Sequence, residues 1–350
     1  MQLMHIQQLA KQLRISPRAI RYYEEAGLIA PRKQDGNRYR LFDEADRQRL
    51  QTVLSLRAIG LSIEEVKAVL AELDRGDEDG ALHLLELQRS LLFSELVELR
   101  LSIDAADRLI GRFRGRHAPD WGEVFDWTEG LKRRRELRAN WRDHWNFDRQ
   151  AETHDHLVLG SDLAPSSLPN YAQALRMVAE WVAPRPGERG LDIGTGTGNL
   201  AGLFLEKGIE MAGIDQSKEM LRRCRSKFPS METKLGNVLA IPYLDRSFDF
   251  AVSSFALRHL SEEQLPLALE EIRRVLKPHG TLCIADRMLG SAEPMASDHA
   301  ASPSGLASHE TAADLSRLVA WLEQADYLVQ TKPLSDLIHI VFAVPIRAGR

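Results

Sequence analysis

The chain has 350 residues, 44% of them hydrophobic and 27% charged, with a formal net charge of −4. That length implies two or three domains with real cores, and the balance excludes both a disordered chain and a global polycation. The two cysteines, Cys224 and Cys283, lie in different elements of the second half, form no metal-ligand spacing and suggest no disulfide framework. No leader and no apolar run of the roughly 18 residues expected of a membrane span is seen, so a cytoplasmic protein with no membrane contact is expected.

Residues 4–13 place Ile6, Leu9, Ala10 and Leu13 at helical spacing and predict a short amphipathic helix. Ser16 caps a second helix, with Pro17 at its first position, where a missing N–H is harmless. Gly27 closes it, and the pair predicts a helix-turn-helix. Residues 32–41 hold Asp35-Gly36 as a hairpin turn and predict a two-stranded wing. Asp43 starts a third helix that ends near Gly60, and Ser62 with Glu65 forms a capping box for a fourth. Within the first 40 residues Lys11, Arg14, Arg18, Arg21, Arg32, Lys33, Arg38 and Arg40 face only Glu24, Glu25 and Asp35. Positive charge is thus concentrated where phosphate contacts would need it.

Three stretches carry a more specific signal: Ile20-Arg21-Tyr22-Tyr23-Glu24 with Gly27-Leu28-Ile29-Ala30-Pro31, then Asn37-Arg38-Tyr39-Arg40, then Ile59-Gly60-Leu61-Ser62-Ile63-Glu64-Glu65-Val66. Over residues 4 to about 75 the chain resembles the MerR family of bacterial transcription regulators. The resemblance implies a winged-helix dimer on double-stranded promoter DNA. By position Arg18, Arg21 and Tyr22 would meet the recognition half-site, and Arg38 and Tyr39 the phosphates at the wing. Arg14 and Arg40 complete the basic DNA face. One of Tyr22 and Tyr23 is expected in the core and the other on DNA. Metal-sensing members carry cysteines about the dimer helix; none stands there, so no metal is expected and the effector must be read by something else.

From residue 78 to residue 113, Leu85, Leu92, Leu96, Leu99, Ile103, Ala106, Ile110 and Phe113 fall on one heptad register. This seam predicts a long helix that pairs in a coiled coil, as a homodimer through residues 78–113 or, alternatively, against the chain's own helices. Residues 114–120 form a loop. Residues 121 to about 147 read as a helical segment whose Trp121, Phe125, Trp127, Trp141, Trp145 and Phe147 are expected out of water. The basic run from Lys132 to Arg135 reads as a solvated face, with contact to DNA or to acidic faces of the other domain as the alternative.

From Pro184 strands and helices alternate, the mark of a doubly wound parallel sheet. The stretch 190–200 holds Gly194, Gly196 and Gly198 between a strand and a helix start, which lets backbone approach a ligand. Strand two ends in Asp215 about 20 residues on, where an acid would hold a ribose diol. Strand three ends at residues 236–238, strand four spans 247–254 and strand five 281–286. A helix over 312–325 and strands near 327–330 and 337–344 close the domain.

In that order the motifs resemble class I S-adenosylmethionine-dependent methyltransferases over residues 147–346. The resemblance implies that Gly194, Thr195, Gly196 and Gly198 cradle the methionine end. It implies too that Asp192 orders that loop and the amino group, and that Asp215 and Gln216 lie at the ribose. Asn237 would meet the adenine amino group and Val238 its ring, with Ser254 and Phe255 facing the sulfonium. Residues 147–155 would close over the cofactor, with His154 where the family often has Tyr. Gly190 and His279 are further departures. His259 is a candidate base or substrate anchor, or a satisfied buried histidine; no catalytic residue is assigned beyond it. Residues 290–308 read as a lid or loop.

The expected fold class is therefore multidomain: an all-α winged helix-turn-helix plus a long dimerisation helix, followed by an α/β Rossmann-like methyltransferase domain with a mostly parallel sheet. The expected boundaries are 1–76, 77–114, 115–146 and 147–350. Two functions fit: a regulator whose second half binds S-adenosylmethionine or S-adenosylhomocysteine as effector, or an active small-molecule methyltransferase that controls its own expression. A nucleic-acid methyltransferase is disfavoured, because Ser253-Ser254-Phe255-Ala256 stands where amino-methylating DNA enzymes carry an Asn-Pro-Pro-Tyr or Asp-Pro-Pro-Tyr motif. The methyl acceptor or effector, the promoter and the direction of regulation are not legible in these residues.

Overall fold

The structure is a computed structural model that describes residues 3–33, 39–115, 120–139, 146–159, 170–289 and 312–346. It divides into two units, Met1–Gln88 and Arg89–Arg350.

In the first unit a short strand β1 (Met4–His5) leads into α1 (Ile6–Leu13) and α2 (Pro17–Glu25). Strands β2 (Arg32–Lys33) and β3 (Arg40–Phe42) follow, then α3 (Glu44–Ala58), α4 (Ile63–Arg75) and the start of α5 (Glu78–Arg114). The helix expected from residue 4 begins only at Ile6. Met4 and His5 are extended and pair antiparallel with Phe42 and Leu41, so the expected two-stranded wing becomes a three-stranded sheet in the order β1-β3-β2. The region is therefore not purely helical. Arg38 and the wing turn lie outside the described residues.

The helix starts follow the local sequence. The Ser16 hydroxyl accepts the Ala19 N–H at 3.1 Å, and Ser62 and Glu65 close a reciprocal capping box. Asp43 and Asp46 form a second box; each such cap contributes about 1 kcal/mol. Leu9, Ile20, Phe42 and Leu50 are fully buried in one small core, and Leu28, Val53, Leu61 and Val66 in another.

Helix α5 starts in the first unit, where Ala81 is buried and Leu85 packs beside it. In the second unit Phe93, Val97, Leu101, Ala105 and Leu109 recur every four residues and are at least half-buried. On the other side Leu92, Leu99, Ile103, Ile110 and Phe113 stand exposed. The heptad seam thus remains open along this part of the helix.

The second unit continues with α6 (Trp121–Ala139), α7 (Phe147–Gln150), α8 (His154–Leu159) and α9 (Tyr171–Val182). Then come β4 (Arg189–Ile193), α10 (Asn199–Leu205), β5 (Glu210–Asp215), α11 (Lys218–Lys227), β6 (Glu232–Leu235), β7 (Phe248–Ser254), α12 (Gln264–Val275) and β8 (Leu276–Leu289). The described chain ends with β9 (Ala313–Asp314), α13 (Leu315–Gln324), β10 (Tyr327–Pro333) and β11 (Ile338–Pro345). The sheet runs in the order β10-β11-β8-β7-β4-β5-β6, with β9 on β8. Strands β6, β5, β4, β7 and β8 are parallel, and β11 and β10 are antiparallel at one side.

Alternate residues of each strand feed two cores, one per face. Leu191, Ile193, Ala212, Ile214, Leu282 and Ile284 enter one cluster. Met211, Phe250, Val252, Cys283 and Ala285 enter the other. A Cβ on Gly190 would stand 2.3 Å from the Phe250 ring and 2.6 Å from the Met211 sulfur. The missing branched residue at that strand position is thus replaced by a larger neighbour. Both cysteines are buried and free. Not every aromatic of α6 is sheltered: Trp121 and Phe125 are 66% and 63% exposed. The helix buries Val124 instead, and Arg112 covers the Trp127 ring at 4.7 Å. Trp141, Trp145 and the expected lid over 290–308 lie outside the described residues.

Candidate functional site

Two separate surfaces carry the candidate residues. In the first unit Arg18, Arg21 and Tyr22 are exposed on α2, and a spacing of three and four sets them on one helix face. Arg14 is exposed at the end of α1 and Tyr39 beside β3. Tyr22 is 53% exposed, whereas Tyr23 is half-buried and packs on both small cores. One tyrosine thus points out and the other in. Arg40 makes an ion pair with Glu24 of α2, which ties the sheet to that helix and engages the guanidinium expected at a phosphate.

In the second unit the strand order reverses between β4 and β7. At such a point, in the crevice outside the carboxyl ends of the strands, sheets of this kind take their ligands. Residues 194–198 turn from β4 into α10, with Gly194, Gly196 and Gly198 at φ of 68°, 53° and 86°. Gly194 has a further reason to be glycine, since a Cβ there would lie 2.4 Å from that of Ala256. At Gly196 such a carbon would meet His154 Cε1 at 4.0 Å, an ordinary contact, so His154 sits against the loop.

Asp192 lies beneath the loop. It is buried, and its Oδ2 accepts from the Thr195 hydroxyl at 2.8 Å and from the Ala201 N–H at 3.2 Å. Its Oδ1 finds no partner among the described residues. Burial pushes its carboxyl up to about 7. Asp215 ends β5, half-exposed, with Oδ2 accepting from the Gly196 N–H at 2.8 Å and Oδ1 from the Ser217 N–H at 2.9 Å. Gln216 beside it is half-exposed. Asn237 follows β6 and is buried; its Oδ1 accepts the Leu239 N–H at 2.8 Å, closing a tight turn. Val238 is half-buried on the same turn. Ser254 is half-exposed at the end of β7. Phe255 is buried, with its ring centroid 5.2 Å from that of Tyr171 on α9, so its side chain packs into the core behind the crevice.

His259 lies beside the crevice, its ring 5.2 Å from Phe147 and edge-on to it. Arg258 Nε donates to its Nε2 at 3.4 Å. Burial, helped by the Arg258 charge, pushes its pKa down to about 3, so the imidazole is neutral and only weakly basic. That environment suits an anchor better than a general base. Under it Asp286 is fully buried and accepts the Arg258 N–H at 3.0 Å, with burial raising its carboxyl to about 6.

A network over the glycine loop was not read from the sequence. Asp155 of α8 accepts from Thr197 Oγ1, from Asn199 Nδ2 at 3.0 Å and from Lys227 Nζ at 2.9 Å. Burial alone would raise its carboxyl, but those donors outweigh it and hold the group below the usual carboxylate range. Asp148 of α7 likewise accepts from Ser217 Oγ and the Glu219 N–H. The segment 147–155 is thus pinned at both ends across the crevice. No group of three or more potential ligands could hold a metal among the described residues.

Comparison with known proteins agrees with both halves. The family "MerR HTH family regulatory protein" matches residues 4–73, and "Methyltransferase domain" matches residues 191–280. An uncharacterized methyltransferase of Alkaliphilus oremlandii is 33% identical over 148 residues, 42% of this chain and 68% of that protein. A demethylmenaquinone methyltransferase of Renibacterium salmoninarum is 35% identical over 32% of this chain and 46% of its own length. A ubiquinone/menaquinone biosynthesis C-methyltransferase of Dinoroseobacter shibae is 35% identical over 31% and 45%. The chain thus spans about half the length of the latter two relatives. No helix among the described residues is long and apolar enough to cross a membrane.

Proposed function

Since the chain belongs to the S-adenosylmethionine-dependent methyltransferases and carries a MerR-type helix-turn-helix domain, we propose that it is a transcription regulator with its own cofactor module. Its second half binds S-adenosylmethionine or S-adenosylhomocysteine, and occupancy is the effector signal. The observation that carries this is the Asp215–Gly196 contact: one half-exposed carboxylate at the end of β5 fastens the glycine loop. The crevice residues fit the cofactor. Gly194, Gly196 and Gly198 take positive φ and keep the loop backbone bare of side chains, Asp215 stands where a ribose diol needs an acceptor, and the 237–238 turn offers an amide and an apolar wall for a purine. Bound S-adenosylmethionine supplies an electrophilic methyl group on sulfur, whose transfer needs alignment more than a strong base.

Residues 1–76 read DNA, with Arg18, Arg21 and Tyr22 in the groove and Arg14 and Tyr39 on phosphates. The exposed seam from Leu92 to Phe113 supports pairing of two copies through residues 78–113, which would set the spacing of two half-sites. Residues 115–146 connect this strut to the cofactor domain, 147–350. A second reading, turnover of a small molecule, is favoured by the pinned segment 147–155, which can shut water out of the crevice as a transfer step requires. Relatives named for quinone methylation point to an apolar ring as the acceptor to try first.

Calorimetric titration of S-adenosylmethionine and S-adenosylhomocysteine into the full chain and its Asp215→Ala variant tests the cofactor site. Binding that the substitution abolishes is the expected result. Anisotropy of labelled duplex DNA with and without each ligand then separates sensor from enzyme: ligand-dependent affinity supports the first, and ligand-independent affinity leaves only the second.

A further inference from the structure

Helix α6 lies outside the residues matched as a methyltransferase domain, yet it holds the segment that would carry the adenine. Its Arg138 is buried and donates from Nε to the Leu239 carbonyl at 3.0 Å. The N–H of the same Leu239 is the one that Asn237 Oδ1 accepts at 2.8 Å. Arg138 and Asn237 therefore hold the carbonyl and the N–H of one residue in the turn. Around them Leu137 of α6 packs with Val238, Leu239, Leu267 and Ala268.

The docking is charged as well as apolar. Arg133 meets Glu263 at 2.8 Å and Arg134 meets Glu270 at 3.0 Å, both on or beside α12. Arg135, on the other side, meets Glu98 of α5 at 2.9 Å. The far end of the same segment is held similarly. Asp245 meets Arg100 of α5 at 2.7 Å and Arg274 of α12 at 3.0 Å, and Arg274 also donates to the Tyr243 and Ile241 carbonyls at 2.8 Å.

A buried guanidinium is seldom a net source of stability. Burial lowers its affinity for a proton, opposed by Glu271 and Glu270 nearby, and its Nη1 finds no partner among the described residues. An apolar side chain would pack there more cheaply, so the arginine needs a reason beyond packing. Its Nε hydrogen bond goes to the turn between Asn237 and Ala240.

We propose that Arg138 is a positioning residue of the cofactor site, through which α6 fixes the adenine-binding turn, so that cofactor occupancy and the docking of α6 are coupled. This rests on the reading of the crevice as a cofactor site. By linkage, a ligand that needs the turn ordered tightens α6 on α12, and a detached α6 weakens the ligand equally. Because α6 and the 245 end both contact α5, occupancy would be felt by the strut.

The test is calorimetric titration of S-adenosylhomocysteine into the full chain and three variants: Arg138→Met, Arg134→Glu, and Arg134→Glu with Glu270→Arg. Thermal unfolding of each checks the fold. Arg138→Met is expected to weaken binding about tenfold, and Arg134→Glu about fivefold. The charge swap should return affinity to within about twofold of the parent. That rescue is something a merely destabilised protein would not show. Hydrogen exchange of amides 130–139 should slow when the ligand binds. Parent-like affinity in both single variants overturns the proposal while leaving the cofactor site intact. If Arg138→Met does not fold, Arg134→Glu and its swap decide alone. Absence of binding to the unaltered chain overturns the cofactor reading itself, and the coupling with it.

Discussion

The carboxylate of Asp215 accepts the backbone N–H of Gly196 at 2.8 Å. One side chain therefore helps to shape the glycine loop. Asp215→Ala removes that pin and, on the proposed reading of the site, the acceptor for a ribose diol. Loss of a charge-assisted pair is worth about 1.5–3 kcal/mol, so affinity for S-adenosylhomocysteine should fall by about 10- to 100-fold in a calorimetric titration. Asp215→Asn keeps one acceptor oxygen and should fall between the two.

Asp155 links α8 to Thr197, Asn199 and Lys227. Its folded pKa is depressed. Its stabilisation is therefore present above the unfolded carboxylate value, about pH 4, and is lost as pH falls below that. Asp155→Asn should flatten the acid limb of a plot of thermal midpoint against pH. At pH 7 the change should cost on the order of 1 kcal/mol after solvent screening. Hydrogen exchange of residues 154–159 should quicken. An unchanged acid limb would show that the network contributes nothing to this dependence.

His259 is held neutral, with its pKa pushed down to about 3. The unfolded chain binds a proton there near pH 6.5 and the folded chain does not. Stability must then fall as pH drops from about 6.5 towards 3, because the unfolded state takes up more protons over that range. His259→Gln should shrink that slope in chemical denaturation at pH 7 and pH 5. If the substitution leaves the difference between the two pH values unaltered, the imidazole does not titrate as its burial implies.

Arg18, Arg21 and Tyr22 share an exposed face of α2. Arg21→Ala and Arg18→Ala should each weaken binding to duplex DNA. Where the lost contact is to a phosphate, the slope of log affinity against log salt should drop by about 1. Tyr23→Ala should instead act on stability, because that ring fills the core. Fluorescence anisotropy at several salt concentrations, with a melting curve for each variant, distinguishes the two.

What could be read in advance follows from how local each signal is. Ser16, Ser62 and Glu65 act within three residues of their partners, so their caps are visible in sequence. The glycine loop and Asp215 are legible because strand, turn and acid come in a fixed order. Asp155 was not, since its partners are 42, 44 and 72 residues away and an isolated acid carries no pattern. The same holds for Arg138, whose partner Leu239 is 101 residues distant. Met4 and His5 looked helical because helical spacing follows them at once; the pairing that makes them a strand lies across the unit at Phe42. The basic run at 132–135 is expected on a solvated face or against acidic faces, and both hold in part: Lys132, Arg133 and Arg135 are exposed, while Arg133 and Arg134 meet Glu263 and Glu270, on or beside α12, partners that sequence spacing cannot place.

Leu99 is 59% exposed, Ile103 51% and Phe113 58%. Such a row on one helix side is expected to find cover, and the opposite row through Val97 is already sheltered within the chain. If two copies pair along residues 78–113, a charge in the seam opposes a charge or an apolar neighbour of the partner. Leu99→Glu together with Ile103→Glu should then convert a dimer to a monomer in sedimentation velocity at micromolar concentration. The single chain should keep its fold and its melting behaviour at the cofactor domain, because neither side chain enters its cores. Affinity for a two-half-site duplex should drop far more than affinity for one half-site, as the second reader is no longer tethered. A parent chain that is already monomeric, or a variant that remains dimeric, would show that something else covers the seam.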